Sequence, residues 1–231
     1  DLETGAVVGI GFDGDADRIG VVDPSGRPIF GDELLVVYSR DILQKNKGAT
    51  IISEVKASHR LFNDIAAHGG RPILWKTGHS LIKAKMKEEN ALLAGEMSGH
   101  IFFNDRYFGY DDAIYAGARL LEILSSTKKT TAELISDLPN SFSTPEIRRD
   151  CPDDIKFVVV QKALKSFQSQ GLKVNDIDGA RVEFGDGWGL VRASNTQPVL
   201  VLRFEASSQK RLEEIQSSME KTVSDLLKEL R

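Results

Sequence analysis

Apolar and polar positions along the chain change their period several times, and each change marks an element. Residues 6 to 12 and 18 to 23 are two apolar, β-prone runs, and Asp23-Pro24-Ser25-Gly26 after them has turn composition. Gly31-Asp32-Glu33 then opens LLVVYSRDILQ, whose apolar positions recur at helical spacing behind an acidic first turn. From there strand and helix patterns alternate. ATIISEV (49 to 55) precedes a helix SHRLFNDIAAHG with Ser58 as N-cap, PILWK (72 to 76) precedes HSLIKAKMKEE, ALLAG (91 to 95) runs into a loop, and a helix over 111 to 124 closes the series. Such alternation predicts an α/β layer on a parallel or mixed sheet.

Beyond residue 130 the pattern changes. TTAELISDLPNSF (130 to 142) reads as a short helix ending at Pro139, and it marks a domain boundary. A strand over 143 to 150 and a helix over 153 to 171 follow. Strands come near 173 to 177, 180 to 185, 188 to 193 and 199 to 205, and a closing helix carries Leu212, Ile215, Met219, Val223, Leu226 and Leu230 along one side. Consecutive hairpins backed by helices predict an α+β domain with an antiparallel sheet. The expected division is 1 to 27, a hairpin with its loop; 28 to 139, the mixed-sheet α/β domain; and 140 to 231, the α+β domain.

The loop between the first two strands carries the densest chemistry. Asp13, Asp15 and Asp17 alternate within GIGFDGDADRIGVV and are followed by Arg18. Three carboxylates this close repel one another unless a cation sits among them. Oxygen ligands without Cys or His suit a hard ion, Mg²⁺ before Ca²⁺, and Arg18 can offset the remaining charge or turn to a phosphate. Gly14 and Ala16 are too small to obstruct a tight loop, and Gly14 tolerates backbone angles that other residues avoid. An EF-hand is excluded, because its sixth and twelfth positions hold Arg18 and Pro24. A haloacid-dehalogenase-type phosphatase with Asp13 as nucleophile stays open, as does a solvated acidic turn.

Ligands of open α/β sheets bind beyond the carboxyl ends of the strands. Each loop there is polar: Lys56-Ala57-Ser58-His59, Lys76-Thr77-Gly78-His79-Ser80 and Gly95-Glu96-Met97-Ser98-Gly99-His100. In the last, Glu96 and Ser98 project to one side if the segment is extended, a pairing suited to vicinal sugar hydroxyls. Singly, Lys56 could be a solvated strand end and His79 a helix cap. In the second domain, Arg192, Ser194, Asn195 and Thr196 offer guanidinium, hydroxyl and amide donors within five residues, with Arg203 on the next strand. That is a phosphate cradle in chemical terms, although an ordinary polar hairpin turn would have the same composition.

Charge and composition narrow the partners. The 231 residues carry a net charge of −4 with no basic stripe, which argues against nucleic acid. No apolar run approaches the roughly 20 residues of a membrane span. A single cysteine, Cys151, rules out an internal disulfide framework and fits the cytoplasm.

As a set, DGDADR (13 to 18), KTGHS (76 to 80), GEMSGH (95 to 100) and RASNTQP (192 to 198) closely resemble the loops of the α-D-phosphohexomutases, above all their bacterial phosphomannomutase/phosphoglucomutase branch. The resemblance implies that Asp13, Asp15 and Asp17 hold Mg²⁺, that Arg18 lies beside a phosphoserine, and that Lys56 and His79 line the reacting end of the sugar. It implies that Glu96 and Ser98, with His100 in the same loop, bind the sugar, and that Arg192, Ser194, Asn195, Thr196 and Arg203 grip the phosphate not being transferred. The substrates implied are mannose or glucose 1- and 6-phosphates, interconverted through a bisphosphorylated sugar. Members have four domains with the phosphorylatable serine in the first, and no TASHNP-like loop occurs here; KASHR lacks the Asn-Pro. The expectation is therefore a piece beginning at the tail of domain two, with a severed hairpin, inactive or nearly so without the amino-terminal domains. A sugar-phosphate binding module without catalysis is the alternative.

Overall fold

The computed structural model describes residues 5 to 230, and these divide after Pro139 into two compact units.

The first unit holds two sheets. Its main sheet has the order β5-β4-β6-β7, where β4 is Thr50–Glu54, β5 Arg71–Trp75, β6 Leu93–Gly95 and β7 Ile101–Phe103. β4 is central and parallel to both β5 and β6, whereas β7 runs antiparallel to β6. The mixed sheet expected from the alternating pattern is thus present. Side chains alternate across it. Ile51, Leu93, Ile101 and Phe103 share a core with α1 (Gly31–Lys45), α2 (His59–Ala67) and α4 (Ala113–Ser125), while Ile52, Ala94 and Phe102 meet Ile82 and Met86 of α3 (His79–Glu89). Fully burying a side chain such as Leu or Phe contributes about 1.5–3 kcal/mol, so this double-sided burial fixes the sheet rigidly under the loops at its carboxyl edge. Ser58 caps α2 as its spacing predicts, accepting from the Arg60 N–H at 3.1 Å.

β7 lies where a loop was expected. Ile101-Phe102-Phe103 is too short to show a period, and it becomes a strand because its backbone pairs with β6 and all three side chains are buried.

The second sheet of this unit is small: β1 (Gly9–Phe12), β2 (Ile19–Val22) and β3 (Pro28–Ile29), all antiparallel. Ile19, Val21 and Ile29 join the core of α1 and α4, and Phe12 and Ile10 lie against Gly117 of α4. The hairpin is therefore held by a third strand and a helix within the unit. Asp23 fixes the turn before β3: one carboxylate oxygen accepts from Ser25 N, Ser25 Oγ and Arg27 N.

After the short α5 (Thr131–Leu134), the second unit is an antiparallel sheet in the order β10 (Lys173–Asn175), β11 (Ala180–Glu183), β12 (Gly187–Ala193), β13 (Val199–Ala206) and β8 (Phe142–Ser143), with β9 (Ile147–Asp150) on another part of β13. One strand was expected over 143 to 150. Pro145 interrupts it, and the Thr144 hydroxyl accepts the Phe204 N–H at 3.2 Å in place of a ladder bond. Val182, Val191, Leu200, Leu202 and Phe204 face α6 (Lys156–Ser169) and α7 (Gln209–Glu229). On α7 the buried line is Leu212, Ile215, Met219, Val223 and Leu227; Leu226 and Leu230, expected in it, are half-buried at its margin. Cys151 is a buried core residue. Among the described residues, no helix is long and apolar enough to cross a membrane.

Candidate functional site

In the first unit the acidic loop folds onto the loop that follows β6. The two backbones meet where Ile19 N donates to Gly99 O at 3.1 Å, and Arg18 and His100 form a β-bridge beside it. This approach needs glycine at 99: its φ is +97°, and a Cβ there would lie 2.4 Å from Ile19 O. Gly31, at the start of α1, has the same function from below, since a Cβ would lie 2.1 Å from Glu96 O.

Within the acidic loop, carboxylate oxygens of Asp13, Asp15 and Asp17 lie within 4.8 Å of one another. Arg18 holds the first of them, its N–H donating to Asp13 Oδ1 at 3.1 Å and its Nε to Asp13 Oδ2 at 2.5 Å. Loss of solvent pushes the Asp13 carboxyl up, but these donors outweigh it and hold the group below the usual carboxylate range. Asp17 Oδ1 is buried and accepts no hydrogen bond. An oxygen-only donor set with a buried carboxylate oxygen that accepts no hydrogen bond, and has Arg18 Nε only at ion-pair distance, 3.5 Å, fits a hard divalent cation. The left-handed residue of the loop is Ala16, φ 57°, and not Gly14, whose backbone is ordinary. The backbone turns there because Ala16 N reaches back to Asp13 O at 3.2 Å while Ala16 O accepts from Ala113 N at 3.0 Å at the start of α4.

The loop after β6 presents Glu96, Ser98 and His100. Glu96 is 3% exposed; its Oε1 accepts from Gly78 N at 2.7 Å and its Oε2 lies 2.9 Å from His100 Nδ1. Ser98 Oγ is 2.8 Å from the same nitrogen. His100 Nε2 is 3.3 Å from Asp17 Oδ2, so the imidazole spans the space between the acidic loop and Glu96. Burial pushes Glu96 up, yet His100 and the Gly78 N–H bring it below the ordinary range. Burial pushes His100 down, yet Glu96, Asp17 and Asp111 outweigh it and raise it above the ordinary imidazole value, so each partner favours the charged form of the other.

His79 is the first residue of α3, and the N-cap is Gly78. The His79 ring stacks on His100 at 6.1 Å, with Nδ1 3.7 Å from Asp111 Oδ2, and Lys83 Nζ is 3.0 Å from Asp111 Oδ1. Lys56 Nζ is 3.4 Å from Glu54 Oε1. The first unit thus brings Asp13, Asp15, Asp17, Arg18, His79, Glu96, Ser98 and His100 into one connected set, with Lys56 tied to it through Glu54. Glu54 and Asp111 were not singled out from sequence; the signal available was an acid ending an apolar strand and the Asp-Asp pair before α4.

In the second unit the candidate residues lie on the β12–β13 hairpin and its turn. The register pairs Arg192 with Val201 and Leu190 with Arg203, so Arg192 and Arg203 share one face of the hairpin, away from α6 and α7. Both are 5% exposed. Arg192 Nε donates to Asp178 Oδ2 at 3.1 Å, and the Arg203 guanidinium lies 5.9 Å from the ring centre of Trp188, under which Arg181 stacks at 3.6 Å. Asp178 is a further residue that sequence reasoning missed. The turn closes on Ser194, whose Oγ accepts from Thr196 N at 3.3 Å and Gln197 N at 3.2 Å, while Asn195 and Thr196 are exposed. Gln197 is anchored from outside: Lys156 Nζ donates to its carbonyl at 3.1 Å and Arg148 Nη1 to its side-chain oxygen at 2.8 Å. A turn held this way has the donors an anion needs.

The first unit thus gathers carboxylates and cations on strand-end loops, and the second carries a polar hairpin turn flanked by arginines. The family models go further. "Phosphoglucomutase/phosphomannomutase, alpha/beta/alpha domain III" matches residues 30 to 142, and "Phosphoglucomutase/phosphomannomutase, C-terminal domain" matches 146 to 222. A phosphomannomutase/phosphoglucomutase of Pseudomonas syringae pv. tomato is 53% identical over 228 residues, which are 97% of this chain and 49% of that protein. A phosphoglucomutase/phosphomannomutase family protein of Burkholderia thailandensis superposes with a TM-score of 0.87 at 45% identity, over 96% of this chain and 47% of that one. The Aspergillus fumigatus N-acetylphosphoglucosamine mutase, solved with GlcNAc-6P and magnesium, shares the fold at a TM-score of 0.73 and 16% identity, over 94% of this chain and 48% of that one. The chain belongs to the phosphoglucomutase/phosphomannomutase family, and it spans about half the length of the relatives it matches.

Proposed function

We propose that this chain is the sugar- and phosphate-recognising part of a phosphohexomutase that interconverts hexose 1-phosphates and hexose 6-phosphates. The observation that carries the reading is the contact of the acidic loop with the Glu96 loop, where His100 lies 2.9 Å from Glu96 and 3.3 Å from Asp17. A carboxylate set for a metal and a paired acceptor for hydroxyls are useful side by side only if a phosphoryl group moves next to a polyol.

In this reading Glu96 and Ser98 accept and donate to neighbouring sugar hydroxyls, with His100 keeping Glu96 ionised and oriented. Lys56 and His79 line the reacting end, and Arg18 faces the phosphoryl donor. Arg192, Ser194, Asn195 and Thr196 hold the phosphate that stays in place, and Arg203 adds positive charge to the face that Arg192 occupies. Asp13, Asp15 and Asp17 would hold Mg²⁺, which supplies charge neutralisation on a moving phosphoryl group. Recognition of hydroxyls other than that at carbon 2 admits both glucose and mannose. The domain assignment follows: 1 to 27 as the tail of a second domain, 28 to 139 as a sugar-binding third, 140 to 231 as a phosphate-binding fourth.

The dehalogenase-type reading is less well supported, because both Asp13 oxygens are engaged by Arg18 rather than presented for attack. The two readings separate in a phosphate-release assay with mannose 1-phosphate and Mg²⁺. The mutase reading predicts no phosphate from this chain alone, and hexose-phosphate interconversion when the amino-terminal half of the Pseudomonas syringae relative is added. Release by the chain alone, abolished by Asp13→Asn, would overturn it.

A further inference from the structure

We propose that Glu54 is the positioning residue of the sugar site, a single carboxylate that sets the loops following β4, β5 and β6 against one another. This rests on the reading that those loops bind a hexose phosphate, and it assigns a role to a residue outside the motif loops.

Glu54 is the last residue of β4, the central strand, and it is fully buried. A carboxylate is costly to bury without partners on both oxygens. Here each oxygen serves a different loop. Oε2 accepts from the Thr77 hydroxyl at 2.5 Å, in the loop after β5. Oε1 accepts from Met97 N at 3.0 Å, in the loop after β6, and lies 3.4 Å from Lys56 Nζ, in the loop after its own strand. These are the neighbours of the groups that matter. Met97 separates Glu96 from Ser98, and Thr77 precedes Gly78, whose N–H fixes Glu96 Oε1.

The chemistry needs a carboxylate in this place. A hydroxyl or amide could satisfy one loop, but only an anion accepts from a hydroxyl and an amide at once while neutralising an ammonium. Burial, and the charge of Glu96, push Glu54 up from the ordinary carboxylate range, and Lys56 opposes that shift. The Lys56 ammonium is thereby placed beside the sugar loop.

Two small substitutions separate the geometry from the charge. Glu54→Asp keeps the charge but withdraws it by one methylene, and Glu54→Gln keeps the length and one acceptor for the Met97 N–H, can only donate to the Thr77 hydroxyl from its amide nitrogen, and faces Lys56 with no charge. Amide hydrogen exchange of the free chain should show Met97 and Gly78 exchanging at least tenfold faster in Glu54→Asp, with α1 and α7 as protected as in the wild type. Calorimetric titration with mannose 1-phosphate should show Glu54→Gln binding at least tenfold more weakly, with Met97 protection retained. Unchanged Met97 and Gly78 exchange in Glu54→Asp, or protection falling equally in α1, would overturn the positioning role. Wild-type affinity in Glu54→Gln would overturn the charge role. A wild-type chain that binds no hexose phosphate would remove the sugar reading, and the exchange result would still decide the place of Glu54.

Discussion

The first unit joins its candidate residues across long stretches of chain: Glu54 reaches Met97 over 43 positions, and Gly78 reaches Glu96 over 18. In the second unit most of the bonds at the turn are local, with Thr196 N on Ser194 Oγ two residues away and Arg192 on Asp178 across 14, and Gln197 is tied to distant chain, through Lys156 and Arg148. The first arrangement exists only when a mixed sheet has formed and its loops have met. The second needs one hairpin in register, with β9 and the start of α6 beside its turn. In the proposed function, recognition of hydroxyls, which demands several acceptors at fixed angles, would be built on the edge of the mixed sheet. Recognition of phosphate, a charge with near-threefold symmetry, would be served by a short turn and an arginine fork.

That contrast can be broken by substitution. Arg192→Ala has the largest expected effect, weakening hexose-phosphate binding about 100-fold, since charge-assisted hydrogen bonds contribute about 1.5–3 kcal/mol each. Inorganic phosphate should weaken alongside it. Glu96→Gln should cost about tenfold for mannose 1-phosphate and leave inorganic phosphate unchanged; equal losses for both ligands would mean that the two regions do not divide the work. Calorimetry measures both. The smallest effect concerns the acidic loop. Ala16 sits at φ 57°, and Ala16→Gly should relieve about 0.5–1 kcal/mol of strain, seen as a higher midpoint in urea with an unchanged slope. A lower midpoint would show that the left-handed turn is not strained.

Local patterns exposed most of the architecture, because each strand and helix carries its own period and cap: Ser58 reads as a cap and is one, and the acidic loop is flanked by the strands its apolar runs require. What stayed hidden is what long-range pairing decides. Ile101-Phe102-Phe103 is a strand by virtue of its partner β6. The left-handed turn falls on Ala16 because Asp13 and Ala113 hold its backbone, although Gly14 is the residue with the intrinsic freedom. Leu227 replaces Leu226 on the buried face of α7 because the contact line advances by four residues per turn along that helix. Glu54 and Asp178 gain meaning only from loops distant in sequence. The motif loops stand out in the sequence as short segments dense in charge, and the structure brings those of the first unit together.

The central claim is that this chain recognises a hexose phosphate through its own loops. A calorimetric titration of the wild-type chain with mannose 1-phosphate, with and without Mg²⁺, tests it most directly. The account predicts saturable one-to-one binding that Arg192→Ala weakens about 100-fold, with no phosphate released in the same buffer. Binding of wild-type affinity in Arg192→Ala, or a folded wild-type chain that shows none, would contradict it.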